Sequence, residues 1–388
     1  MHKDNYLSKK VGIIGGGQLG KMMVMEASKM GIQTVILDPS ENCPAGYLAN
    51  GQITAGFDDS QALEELAKMV DVLTYEFEHI SVNALKDLEA LGFVVYPKAR
   101  TLEMIQNKYE QKITLQRNNI PLGKFEKVHN VMDIKAVIHE YGYPIMLKSA
   151  LGGYDGKGNS IIHNDEDIEK SFMELNGEEN SLYVEQYIPF KKEISVLSCR
   201  GIDGDIKVYP VAENIHKDSI LFETAVPANI TSVEEEKAKR IAEDVCEIFG
   251  GVGMFCVEMF LTDHGDILVN EVAPRPHNSG HYTIEGCTTS QFENHIRAVV
   301  GLPLGETNLL VPAVMRNILG EIGYAGEPYI IGAYEALSLK GVNLHIYNKA
   351  ETKPHRKMGH LTAVAATLED AKINAEMASS LIKIISTQ

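Results

Sequence analysis

Cysteine is scarce and unpatterned in this 388-residue chain: Cys43, Cys199, Cys246, Cys256 and Cys287 are odd in number, scattered and without a CxxC pair. That excludes a zinc ribbon and a disulfide framework, and it suits reduced thiols in a cytosol. No stretch approaches the ~18 apolar residues of a membrane span. The start, MHKDNYLSKK, leads into one short apolar strand and then glycines, with no secretory h-region, so no membrane and a cytoplasmic location are expected. Positive charge is in deficit: 36 Lys and Arg against 53 Asp and Glu give a net charge of −17. This argues against nucleic acid or an acidic membrane surface as a partner. Internal repeats and low-complexity tracts are also missing. What remains, a chain with 44% hydrophobic content, is globular, long enough for two or three domains, and suited to small molecules and metals.

The first hundred residues alternate in period. Strands are expected at 11–14, 34–38, 72–74 and 93–96. Between them lie helices with apolar stripes at Leu19, Met22, Met23, Ala27 and Met30, at Leu63, Leu66 and Ala67, and at Leu85, Leu88 and Leu91. Ser81 would cap the last of these and Gly92 end it. Such βαβ order implies a parallel sheet covered by helices. Gly15, Gly17 and Gly20 match GxGxxG, with Asp38 near the place of a ribose-binding acid. The loop fits a dinucleotide, another phosphate-bearing nucleotide, or a tight turn with no ligand.

Further along, residues 144–150 form a strand carrying Lys148, which runs into Leu151-Gly152-Gly153-Tyr154-Asp155-Gly156-Lys157-Gly158-Asn159 and then a strand at 160–163. Glycine freedom with lysines on either side suits a hairpin flap over a polyphosphate, although a mobile surface turn would read the same way. It is not a Walker A loop. Residues 182–188, LYVEQYI, form a strand broken by Pro189, with Glu193 beyond: a weak adenine and ribose signal.

The most informative stretch is 250–282. Glu258 and Glu271 lie in two alternating runs joined by Thr262-Asp263-His264-Gly265-Asp266, a hairpin turn. With His264 and Gly265 at the tip, Glu258 falls opposite Glu271, their Cβ atoms ~5 Å apart. Either one carboxylate points to solvent, or a hard divalent cation that also holds phosphate oxygens lies between them. Asn270, Arg275, His277 and Asn278 crowd the same place.

The set Lys108, Lys148, GGYDGKG, VEQYIP with Glu193, and VEMF…VNE resembles the ATP-grasp superfamily. GGGQLGKMM, YEFEH, NEVAPRPHNSGHYTIEGCTTSQFENH and HRKMGH narrow the likeness to the 5-(carboxyamino)imidazole ribonucleotide synthase family, over nearly the whole chain. Small departures are Lys108 and Lys21, where arginine is as common, and Tyr282, where tryptophan is common. The resemblance implies an α/β fold of ATP-grasp (α+β) type. It would have an N-terminal parallel-sheet domain at 1–99, a central ATP-grasp domain at 100–300 with a flap at about 121–190, and a small β-rich domain at 301–388, in which short strands are expected at 333–339 and 344–347 and a helix from Leu368 to Ile385. It also implies a ligase of de novo purine biosynthesis that carboxylates aminoimidazole ribonucleotide with bicarbonate and ATP through carboxyphosphate, as a homodimer using Mg2+, with Mn2+ as an alternative.

Residue by residue, the resemblance gives ATP to Lys108, Lys148, the flap (Gly153, Tyr154, Asp155, Gly156, Lys157, Gly158, Asn159), Glu185, Gln186, Tyr187, Ile188, Glu193, His216, Asn270 and Glu271. It gives the metal to Glu258 and Glu271. The ribonucleotide falls to Gly17, Gln18, Leu19, Glu76, Tyr154, Arg275, His277, Asn278, Lys353 and Arg356. Asp155, Lys353 and Arg356 are the expected catalytic groups, Asp155 or released phosphate being the base. The run Lys353-Pro354-His355-Arg356-Lys357 is either a solvated basic turn or an anion clamp with Arg275. Two alternatives stand beside this reading: another ATP-grasp ligase, such as a formate-dependent ribonucleotide ligase or a biotin carboxylase relative, and a nicotinamide oxidoreductase.

Overall fold

The computed structural model describes residues 8–153 and 158–387. Tyr154, Asp155, Gly156 and Lys157, all expected in the flap, therefore lie outside the described residues. Runs of β-branched and aliphatic residues near the N-terminus form a parallel sheet in the order Gly51–Thr54, Gln33–Asp38, Lys10–Ile14, Val72–Tyr75. The outermost of these was not anticipated; residues 93–96, expected as a strand, contribute only a parallel bridge from Val95 to Leu73. Gly92, at φ +91°, precedes them and Pro97 follows, which leaves too little chain for a ladder. Leu91 is 63% exposed and does not extend the stripe of the helix Val82–Ala90, whose N-terminus Ser81 caps as expected.

The middle of the chain builds one long antiparallel sheet. Its order is Ile267–Ala273, Gly253–Thr262, Phe190–Arg200, Ala212–Lys217, Ile220–Val226, Ala313–Leu319, Lys357–Val364, Val342–Ile346, with Ile206–Val208 beside Phe190–Arg200. Three strands after residue 300, Ala313–Leu319, Lys357–Val364 and Val342–Ile346, thus continue the central sheet. The helix Ser232–Phe249, opened by a Thr231/Glu234 capping box, buries Ile241, Val245 and Phe249 against Phe255 and Val257. His295 ties the two sheets together: its Nε2 lies 2.7 Å from Thr74 Oγ1 and its Nδ1 accepts from the Met254 amide at 3.1 Å.

A second antiparallel sheet, Phe125–Val128, Leu182–Gln186, Ile145–Ser149, Asn159–Ile162, carries Lys148 and forms the roof of the cavity described below. Near the C-terminus two expectations are corrected. Residues 333–339, expected as a strand, begin with the helix Ala333–Leu337, in which good helix formers follow Gly332 at φ +77°. The last helix stops at Leu381, short of the expected Ile385, because the Ile-rich segment Lys383–Ser386 pairs with Pro328–Ile331. Among the described residues no helix is long and apolar enough to cross a membrane.

Candidate active site

Glu258 does pair with Glu271, but by a route the turn alone does not predict. At the tip the register is one residue off the expected one, Leu261 facing Ile267 and Met259 facing Val269. A bulge then leaves Asn270 unpaired and brings Glu258 opposite Glu271. A bulge turns two successive side chains toward one side of a sheet. Asn270 and Glu271 both line a cavity of about 910 Å³ between the roof, the central sheet and the N-terminal domain. Burial, and then Glu271, pushes the Glu258 carboxyl up to about 7, against the pull of His216. The Asn270 Oδ1 is buried without a hydrogen-bond partner. Two opposed carboxylates and an orphaned amide oxygen fit a hard cation whose remaining ligands would be phosphate and water oxygens.

Lys108 opens the helix Lys108–Arg117, capped by Asn107. This helix is docked by the buried Gln111, whose amide bonds the Val272 backbone in both directions at 2.9 Å, as a neighbouring strand would. The docking sets Lys108 Nζ 2.5 Å from Glu271 Oε1 and 3.2 Å from Glu78 Oε2. Burial opposes the ammonium, but Glu271 and Glu78 outweigh it and hold Lys108 above the usual lysine range. One helical turn on, Lys112 lies 3.0 Å from Glu185, and Lys148 reaches the other Glu185 oxygen at 3.0 Å. Against burial, Lys112 and then Lys148 bring the Glu185 carboxyl down to about 2, while burial lowers Lys112. The Glu185 side chain expected at adenine is thus engaged by two lysines, and Gln186, Tyr187 and Ile188 line the cavity beside it. Gly153 and Asn159 mark where the flap meets the same wall. Glu193 and His216 lie together, 2.5 Å apart, with Glu193 outweighing burial to raise the imidazole.

The glycine loop departs from its dinucleotide appearance. The Gly17 and Gly20 amides donate to the Glu76 carboxylate at 2.5 and 2.6 Å, and the Gly16 amide to Asp38 at 2.8 Å. The anion-binding amides are therefore satisfied by the protein's own carboxylates. Burial raises the Glu76 carboxyl even so. Gln18, Leu19 and Glu76 border the cavity.

Arg275, His277 and Asn278 line the same cavity, with His277 Nε2 3.7 Å from Glu258 Oε1. Arg275 Nε and both amide atoms of Asn278 are buried without partners. His277 is neutral: burial, then Arg275 and Lys357, push it well below the usual histidine range. The basic turn is pinned to Gly320, which donates to the Arg356 carbonyl at 2.9 Å and accepts from the His355 amide at 3.1 Å. Lys353 and Arg356 are not among the lining residues, and Arg356 Nη1 donates to the Glu351 carbonyl at 2.9 Å; Lys357 is the member of the run that lines the cavity. Sequence reasoning missed Lys112, Glu78 and Lys357. The first had a signal, its i,i+4 spacing from Lys108 on one helix face.

Comparison with known proteins was consistent over the whole chain. The ATP-grasp domain family matches residues 113–292, the ribonucleotide synthetase preATP-grasp domain matches 8–106, and the phosphoribosylaminoimidazole carboxylase C-terminal domain matches 313–374. The chain is similar to the N5-carboxyaminoimidazole ribonucleotide synthase of Bacillus subtilis, 42% identical over 358 residues that cover 92% of each. The crystal structure of N5-carboxyaminoimidazole ribonucleotide synthetase from Thermotoga maritima superposes with a TM-score of 0.89 at 46% identity, covering 98% of this chain and 100% of that one. A structure from Aspergillus clavatus in complex with ADP and 5-aminoimidazole ribonucleotide gives a TM-score of 0.89 at 35% identity, covering 97% and 98%.

Proposed function

Since the chain belongs to the N5-carboxyaminoimidazole ribonucleotide synthase family of ATP-grasp ligases, we propose that one end of its cavity holds ATP and the other the ribonucleotide, with bicarbonate activated between them. It is an ATP-dependent ligase of purine biosynthesis. The observation that carries the division of labour is the distribution of unmet demand. Glu258 and Glu271 face each other with Asn270 Oδ1 orphaned beside them, and Arg275 and Asn278 keep buried polar atoms without partners.

In this reading Lys108 and Lys148 bind the phosphates, Gln186 to Ile188 receive the adenine edge, and Glu193 with His216 receives the ribose. Glu258, Glu271 and Asn270 would hold Mg2+, which when bound supplies charge neutralisation at the phosphoryl group. The fold orients bicarbonate toward the γ-phosphoryl group and keeps water from the resulting carboxyphosphate until the amine arrives. Arg275 and Asn278 hold the ribonucleotide. His277, held neutral, offers a donor or acceptor without adding to the local positive charge. Glu76 fixes the glycine loop beside it through the Gly17 amide, and Gln18 and Leu19 border the cavity there. Lys353 and Arg356 reach the ribonucleotide by movement of their side chains from the turn pinned at Gly320. Asp155 is assigned the proton of the attacking amine.

The direct test is ADP release with Mg-ATP, with the ribonucleotide and labelled bicarbonate added separately and together. ADP formed in step with label captured in an acid-labile product is the expected result. Stimulation by formate instead of bicarbonate would move the chain to a different carboxylate–amine ligase.

A further inference from the structure

Two cations in this cavity share one counter-ion. Glu78 follows the strand Val72–Tyr75 and is 7% exposed; its Oε2 lies 3.2 Å from Lys108 Nζ and its Oε1 3.1 Å from Arg275 Nη2. The two contacts differ in kind. The Lys108 contact is a hydrogen bond, whereas Glu78 Oε1 has no aligned N–H donor despite the short distance. Arg275 is correspondingly loose in direction: Nη1 donates to the neighbouring Pro276 carbonyl at 3.0 Å, and Nε is buried with no partner. Lys108 by contrast is oversupplied, since Glu271 also holds it at 2.5 Å.

We propose that Glu78 is a positioning residue that couples the two substrate sites, by passing from Lys108 to Arg275 when nucleotide phosphate takes over Lys108. The inference rests on the assignment of the nucleotide to the Lys108 end and the ribonucleotide to the Arg275 end. The physical chain is short. A phosphate at Lys108 competes with Glu78 for the ammonium, because each is an anion seeking the same donors. A buried carboxylate that loses one cation is costly unless it turns wholly to another. Arg275 is the cation already within reach. An aligned bond from Glu78 would fix the guanidinium plane, so that Nε and the free Nη hydrogens point at the second substrate. Nucleotide occupancy is then felt as tighter ribonucleotide binding, and by linkage the reverse holds as well.

Binding of aminoimidazole ribonucleotide to the full chain, by calorimetry with and without a saturating non-hydrolysable ATP analogue and Mg2+, tests this. In the wild type the Kd is expected to fall at least about fivefold when the analogue is present, the lower end of ordinary coupling between sites. In Glu78→Gln, which keeps the shape and loses the charge, the ratio is expected to collapse to about one. A residue that merely supported the fold would weaken both Kd values together and leave their ratio unchanged. Glu78→Asp, which retains the charge with a shorter reach, should restore part of the ratio; it also serves as the test variant if Glu78→Gln does not fold. A wild-type ratio of one, or an undiminished ratio in the variants, overturns the coupling role. If the wild type binds no ribonucleotide in either state, the assignment of the sites fails first and the coupling role with it.

Discussion

Two carboxylate groupings face the same cavity and are built on opposite terms. At Glu185 one buried carboxylate meets Lys112 and Lys148, one ammonium near each oxygen, so the carboxylate's charge is met within the protein and one positive charge is left over. At Glu258 and Glu271 two carboxylates oppose each other across a hairpin, with Lys108 on the outer side of one of them and Asn270 Oδ1 orphaned beside them. The first grouping ties the roof to the helix Lys108–Arg117 and keeps its carboxylate paired without any ligand, its surplus ammonium being free to meet a phosphate. The second keeps like charges together, relieved only in part by Lys108 on Glu271 and by the raised Glu258 carboxyl, in a place that a bound cation would reconcile. Charge that is already paired supports structure, and charge left unpaired is a demand for a ligand.

The largest effect should come from removing that demand. Glu271→Gln is expected to lower kcat on the order of a thousandfold, about 4 kcal/mol of barrier, with little change in the thermal midpoint of the ligand-free protein. Steady-state ADP release beside a melting curve checks both halves. A large loss of stability with the activity loss would mean that Glu271 belongs with Glu185 as a structural group.

Glu185→Gln should do the converse. It leaves two buried ammonium groups without their shared anion, and breaking a buried pair costs about 3–5 kcal/mol. Denaturant titration should show a lower midpoint with an unchanged slope. Acid offers a milder version of the same break. The folded carboxyl sits at about 2 against an ordinary 4.5, so its contribution is full above about pH 4.5 and is lost as pH falls toward 2. Integrated over that window it amounts to about 3 kcal/mol, and the wild type should lose this increment on acidification while Glu185→Gln does not.

Much of this contrast is legible in the sequence. The hairpin pair could be read because alternation and a Gly-containing turn fix which residues face each other to within one position. That one position mattered. The tip register differs from the expected one, and the bulge at Asn270 supplies the compensating residue, which no local propensity announces. The glycine fingerprint was legible as a loop and misleading as a cofactor site, because Glu76, far along the chain, fills it. Glu78 and Lys112 were missed for a related reason: Lys112 has only its i,i+4 spacing from Lys108 to mark it, and the partners Arg275 and Glu185 are distant in sequence and are met only through tertiary packing. The strand expected at 333–339 failed where helix formers after a left-handed glycine outweighed apolar content.

The smallest expected effect is the most discriminating, because its sign changes with the ligand. In chelator at pH 8 the wild type carries two opposed carboxylates, and Glu258 keeps 26% of its side-chain exposure, so solvent screens part of the repulsion. Glu258→Gln removes the repulsion and the cost of burying one charge. It should therefore stabilise the ligand-free protein, by about 1 kcal/mol after allowing for that screening. With Mg2+ and ADP present the order should reverse, because ligand that binds only the folded state stabilises in proportion to its affinity, and the variant has lost a ligand atom. A group that trades stability for binding in this way behaves as a functional site does. If Glu258→Gln destabilises the protein equally with and without Mg2+ and ADP, Glu258 is a structural group, and the cation must be sought among other atoms of the cavity.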